Sequence, residues 1–261
     1  MLCIIFYQLI IMIFKLNQNI SNRGESDKKI RLQIPKRKTL QNPTPTTTIE
    51  STTNVIIYVL CYNLEKYNFS KKYYSKYKWA RPILMKYQDY TFENAFWKQL
   101  LEISNEWETA DMVGTLSHKA YEKINLEEVN HIIINKMYSS KKFVSFMKSE
   151  NTLFNENHHT FRFKQFIKYI SYSLNNKINY KLSYCNYWIT TPELMKDFIN
   201  WHTNTCLPIL LKHPYCFHKY NYGGALTKHE LLRIWGRPYY PNIPFILERI
   251  NLLFFVNERE Y

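Results

Sequence analysis

The sequence predicts an α/β fold: a mostly parallel sheet flanked by helices. Three observations lead there. Val55 to Cys61 is a continuous apolar run rich in β-branched residues, the pattern of a strand buried on both faces. Phe92, Phe96, Leu100 and Ile103 recur at helical spacing, with Trp97 and Leu101 widening the same apolar face. Asp111 then opens a second short run, Met112-Val113-Gly114-Thr115-Leu116-Ser117, with His118 at its carboxyl end. Strand, helix, strand, helix, strand is the order of a parallel sheet with right-handed crossovers.

Order is expected to begin near Asn54. After the first strand, a Tyr- and Lys-rich helix is predicted over 65–78 and a short strand over Pro82 to Lys86. The helix from Phe92 to about Ser104 and the strand from Asp111 follow. Leu126 to Tyr138 reads as a helix, Phe143 to Met147 as a strand, Phe161 to Leu174 as a helix, and Ser183 to Ile189 as another strand. Thr191-Pro192-Glu193 is a helix start, with Thr as cap and Pro at the first position. That helix should run through Leu194, Phe198 and Trp201 towards Leu207, where Pro208 disturbs it. Turns and aromatics dominate from Lys212, and a last helix is predicted to begin near Pro244. No internal repeat is visible.

A chain of 261 residues with 46% hydrophobic content can bury a full core, here assigned to one α/β domain over 54–261. Residues 1–53 differ in character. Leu2 to Phe14 is nearly all apolar but only 13 residues long, short of the ~20 that a spanning helix needs. It lacks the preceding positive charge and the following small-residue cleavage site of a signal peptide. The open readings are a weak tether giving peripheral membrane association, a signal peptide, or an upstream start extending the natural protein; the last is favoured. Leu16 to Thr53 reads as a disordered basic linker ending in Pro43-Thr44-Pro45-Thr46-Thr47-Thr48.

The net charge of +14 suggests an anionic partner such as nucleic acid, nucleotide or membrane surface. Residues 1–50 hold eight Lys/Arg against three Asp/Glu, which is +5, and leave +9 for the other 211 residues. Lys, Asn, Ile, Tyr and Phe are all abundant, as an AT-rich genome would dictate. Composition bias is therefore the favoured account of the charge, and nucleic acid is not the expected partner. The five cysteines (Cys3, Cys61, Cys185, Cys206 and Cys216) form no C-x-x-C pair and no dense framework, which fits reduced thiols in a cytoplasmic location.

Ligands bind outside the carboxyl ends of strands in open α/β sheets. Tyr62 and Asn63, just past the first strand, suit a nucleotide base or ribose, and equally a plain turn. Glu93 and Asn94 head the second helix, where free backbone N–H groups gather; they either touch a ligand or cap their own helix. Ser117, His118 and Lys119 follow the Asp111 strand, where His118 suits a base or phosphate contact and Lys119 a phosphate. Glu248 and Arg249 lie side by side in the apolar stretch Phe245 to Ile250, where an unpaired charge is costly. They read as a structural ion pair, or as a base (Glu248) beside a phosphate or carboxylate contact (Arg249). Glu106 and Glu108 precede the Asp111 strand, at the wrong end for a ligand. Tyr222-Gly223-Gly224 could let backbone approach a ligand, a weak signal alone. His202, Cys206, His213, Cys216 and His218 fall within seventeen residues and carry zinc-ligand chemistry, but their spacing matches no standard finger. No Gly-x-Ser-x-Gly elbow, P-loop or Gly-x-Gly-x-x-Gly appears.

Several pieces also carry a family resemblance. They are Ile57 to Asn63, Pro82 to Tyr87, Tyr90-Thr91-Phe92-Glu93-Asn94-Ala95-Phe96-Trp97, Asp111 to Ser117, Asn186-Tyr187-Trp188, Trp201-His202, Gly236 to Pro241, and Pro244-Phe245-Ile246-Leu247-Glu248-Arg249. In this order they resemble a glycosyltransferase family found in giant-virus genomes and, more distantly, glycosyltransferases of bacterial capsule and rhamnan polysaccharide synthesis. The resemblance spans roughly Asn54 to Asn257. It implies a nucleotide-diphospho-sugar-transferase-like (GT-A-like) fold, a nucleotide-sugar donor and a glycan or glycoconjugate acceptor, and, if the chain is viral, the host cytoplasm. In such an enzyme the positions read above would make Glu248 and His118 the catalytic groups, with Tyr62, Asn63, Glu93, Asn94, Ser117, Lys119 and Arg249 contacting donor or substrate. Many such enzymes hold a divalent metal with Asp-x-Asp. This chain has no Asp-x-Asp, so no metal ligand is assigned and Lys or Arg must face the phosphates. The rival readings are a non-catalytic nucleic-acid-binding protein, drawn from the charge and the 17% aromatic content, and a degenerate transferase fold kept for partner binding.

Overall fold

A computed structural model describes residues 54–147, 161–174, 185–220 and 226–257. The assignments made for 1–53 and for Tyr222-Gly223-Gly224 lie outside the described residues.

Strand β1 (Val55–Cys61) alternates its side chains between the two faces of the sheet. Val55, Ile57 and Val59 enter one buried cluster, while Tyr58 and Leu60 enter the other. Both faces are covered, so a continuous apolar run was required rather than an alternating one. Helix α1 (Leu64–Tyr73) starts at Asn63, whose side chain accepts the Lys66 N–H at 2.9 Å. β2 (Ala80–Leu84) pairs parallel with β1. The apolar stretch from Phe92 forms a 3-10 turn over Phe92–Ala95 and then helix α2 (Phe96–Glu102), shorter than the helix expected to reach Ser104. β3 (Met112–Ser117) is buried throughout and pairs parallel with the other side of β1.

Helix α3 (Leu126–Ile134) is capped by Asn125 and leads to the short strand β4 (Phe143–Ser145). Helix α4 (Phe161–Ser173) and strand β5 (Trp188–Thr190) come next. Thr191 caps α5 (Pro192–Trp201) by accepting the Leu194 N–H, with Pro192 in the first turn as expected. A π-helical turn over His202–Cys206 then joins α5 to α6 (Leu207–Leu211), so the chain stays helical past Pro208. Helix α7 (Lys228–Trp235) carries a full capping box between Thr227 and Glu230 and stops at Gly236, whose φ of 81° suits glycine. The last helix is α8 (Ile243–Asn257).

The result is an α/β fold with a five-stranded mixed sheet in the order β2-β1-β3-β5-β4. The expectation of a mostly parallel sheet needs correcting in its second half, because β5 pairs antiparallel with both β3 and β4. Among the described residues, only the β2-β1-β3 half has parallel pairings. A three-residue strand has no directional signature in its sequence; tertiary pairing sets its sense. Gly114 of β3 lets β5 approach, since a Cβ there would lie 1.9 Å from the Trp188 carbonyl oxygen. Tyr74, Val129 and Ile133 lie in the cluster on the β1 face that holds Val55, and α2, α5 and α8 supply the other.

Candidate functional site

The chain leaves β1 for β2 on one side and returns to β3 on the other. The carboxyl ends of β1 and β3 therefore flank a topological switch point, where α/β sheets open a crevice. A cleft of ≈ 410 Å³ lies there, within the range of ligand sites. Tyr62 and Asn63 line it from the end of β1, and Ser117, His118 and Lys119 from the end of β3. Glu93 and Asn94 enter from the turn before α2, and Glu248 from α8. Eight of the nine sequence-predicted site residues thus share one cleft. Arg249 does not line it. Its guanidinium is buried, pairs with Glu248 at 3.8 Å as the structural reading expected, donates to the Phe245 carbonyl at 2.6 Å and lies 5.5 Å from the Phe163 ring.

Two carboxylates define one end of the cleft. Glu93 is pushed up from the usual 4.5 to about 7 by burial first and by the nearby Glu248 second, against the pull of Lys123 and a Tyr62 hydrogen bond. The Tyr62 phenol is raised well above its usual range by burial and by Glu93, so it stays protonated and donates. Burial works against the charge of Lys123, but Cys185, Glu248 and Glu93 hold it protonated. Its ammonium donates to Cys185 Sγ at 3.5 Å and lies 5.7 Å from the Tyr187 ring. Ser117 hydrogen-bonds the Tyr187 hydroxyl.

The other end is built on His118. Its backbone N–H donates to the Leu60 carbonyl, which fixes it to the end of β1. Burial, then Lys66 and Lys119, push the imidazole down from 6.5 to about 4. It is therefore neutral at physiological pH.

Behind the cleft, three asparagines lock the elements together. Asn251 of α8 donates to Asn94 Oδ1 at 2.7 Å and to Asn186 Oδ1 at 3.1 Å. Asn94 Oδ1 also accepts from Trp97 Nε1 at 3.3 Å, so this amide is committed to structure as well as facing the cleft. Phe92 and Cys185, both lining the cleft, have φ of 52° and 73°. Left-handed backbone at bulky residues is strained, and such strain gathers at functional sites.

Sequence reasoning missed Lys66, Glu122, Lys123, Cys185 and Glu230, which also line the cleft. Lys66 alone had a local signal, being one helical turn past Asn63. Lys123 and Cys185 meet across 62 positions, a contact no local pattern encodes. The zinc-like constellation disperses. His202 packs against Trp97 and Phe198, His213 against Phe166 and Tyr169, and among the described residues no three His, Cys, Asp or Glu converge on a metal-sized point. Glu106 and Glu108 stand before β3, where they bond the Tyr58 hydroxyl and Lys196. Among the described residues no helix is long and apolar enough to cross a membrane. Comparison with protein-family models, curated proteins and solved structures finds no match.

Proposed function

We propose that this chain is a glycosyltransferase of GT-A-like fold that moves a sugar from a nucleotide-sugar donor to the hydroxyl of a glycan or glycoconjugate acceptor. The observation that carries the reading is the paired carboxylates, Glu93 and Glu248, in a cleft at the switch point of the sheet. Carboxylates accept hydrogen bonds from sugar hydroxyls, often two at a time. A carboxyl that titrates near neutrality is also suited to take a proton from one. In the proposed reaction Glu93 removes the acceptor hydroxyl proton as that oxygen bonds to the anomeric carbon. The bond from that carbon to the phosphate oxygen breaks, and a nucleoside diphosphate leaves. Glu248 holds sugar hydroxyls and keeps Glu93 basic. Tyr62 orients the Glu93 carboxyl. His118, held neutral by burial first and by Lys66 and Lys119 second, is the poorer proton acceptor of the two. The reading uses no divalent metal, because the lining residues include lysines and no Asp-x-Asp.

The test is thermal stabilisation of the full chain by a panel of nucleoside diphosphates and nucleotide sugars, with and without manganese. The expected result is a shift selective for one base and independent of manganese. Absence of any shift at millimolar ligand would defeat the reading.

A further inference from the structure

Resting on that reading, we infer that the His118 end of the cleft, at the amino terminus of α1, is a phosphate subsite that takes the donor's diphosphate. Helix α1 is ten residues long and begins directly after β1. Its capping side chain, Asn63, occupies the Lys66 N–H, and the Tyr67 N–H bonds to the Asn63 carbonyl. The N–H groups of Leu64 and Glu65 precede the helical ladder and have no acceptor within it. Asn63 and Lys66 on either side of them line the cleft, so the positive end of the helix dipole lies near it.

An independent observation comes from β3. His118 is only 9% exposed and lines the same cleft; its buried Nδ1 makes no hydrogen bond of good geometry, although the Leu60 carbonyl acts on the ring. A buried nitrogen so poorly satisfied is costly unless a ligand satisfies it. Neutral imidazole still offers one N–H to a phosphate oxygen. The ring stands edge-on to Tyr62, with centroids 5.8 Å apart. Lys66 and Lys119 line the cleft and act on this ring, opposed by Glu122. Glu65 pairs with Lys66 at 3.0 Å, so the subsite is balanced rather than strongly basic. Neutral donors and the helix terminus therefore carry much of the recognition.

The polarity of the cleft sets the ligand's direction. A diphosphate beside Glu93 and Glu248 would meet two carboxylates against the single charge of Lys123. At the α1 end it meets Lys66, Lys119 and the field of the helix terminus, which leaves the sugar facing the carboxylates.

The experiment follows the His118 ring by nitrogen-15 NMR of the full chain during titration with inorganic pyrophosphate, then with nucleoside diphosphates. Bound pyrophosphate favours the imidazolium, so the apparent pKa of His118 should rise by about one unit or more. Lys119→Met and Lys66→Met, which alter side chains without burying anything new, should each weaken pyrophosphate by roughly tenfold, the scale of one charge-assisted bond. No movement of His118 at saturating pyrophosphate, or unchanged affinity in both variants, overturns the subsite. Nucleotide binding that leaves His118 unmoved spares the transferase reading and overturns only the subsite. Pyrophosphate at His118 with no gain from any nucleoside supports the subsite and overturns the transferase reading.

Discussion

The two halves of the sheet solve opposite problems. Around β5 and β4 the chain builds a dry aromatic slab. Trp97 and Trp188 stack at 5.6 Å, Phe198 stands edge-on to both, and Phe255 lies 4.6 Å from Trp188 and 4.3 Å from Phe143. Around the carboxyl ends of β1 and β3 the chain instead places carboxylates, lysines, an imidazole and strained backbone beside open space. Parallel strands end together, so their loops converge on one edge and leave a crevice between outgoing crossovers. The antiparallel β5 brings helix-borne aromatics over the neighbouring strands and closes that side. The histidines show the contrast. Both are neutral and buried, but His202 is depressed to about 3 by burial alone, within aromatics, whereas two lysines act on His118 as well.

Substitutions in the two halves should therefore fail in different ways. Glu93→Gln should lower transfer by about 10²–10⁴-fold, the usual scale for a general base. In the wild type, the rate should rise with pH up to about 7 as Glu93 loses its proton. The stability sign is opposite. The native state holds Glu93 protonated where the unfolded chain, at the ordinary 4.5, has released it, so Glu93 lowers stability as pH rises from 4.5 to about 7. Glu93→Gln should hence melt higher than wild type above pH 7, with the gap narrowing towards pH 5. A variant that loses both transfer and stability would erase the distinction between the halves.

Trp188→Ala removes the centre of the slab and should cost about 3–5 kcal/mol by chemical denaturation. Nucleotide binding by the folded fraction should stay within about twofold, the scatter expected for uncoupled sites. A selective loss of binding without loss of stability would show that the slab is part of the site. Gly114→Ala joins the halves. Its Cβ meets backbone, not a flexible side chain, so β3 and β5 must separate at a cost of about 1–3 kcal/mol or more. Stability unchanged by that substitution would contradict the close approach of β5.

Much of the cleft was legible because parallel βαβ order tells where ligands go before any side chain is placed. Tyr62, Asn63, Ser117, His118 and Lys119 were found by that rule alone. Glu248 stood out as a charge in an apolar run, where solvation costs make any charge informative. The sense of β5 was not legible; for Arg249 the structural reading holds, since it pairs with Glu248 at 3.8 Å and lies against Phe163 and not in the cleft. Adjacent residues on a helix point about 100° apart, so one faces the ligand and its neighbour the core.

The sequence alone determined the β1–α1–β2–α2–β3 order, the cap at Thr191, and the edge of the sheet where polar groups collect. These rest on local propensity, periodicity and handedness, each encoded within a few residues. Tertiary structure decided the mixed sheet, the meeting of Lys123 with Cys185, and the joining of Glu93 to Glu248. It also decided the acidity of Glu93, because a pKa depends on the charges and solvent around a group, and those come from segments far away in the chain.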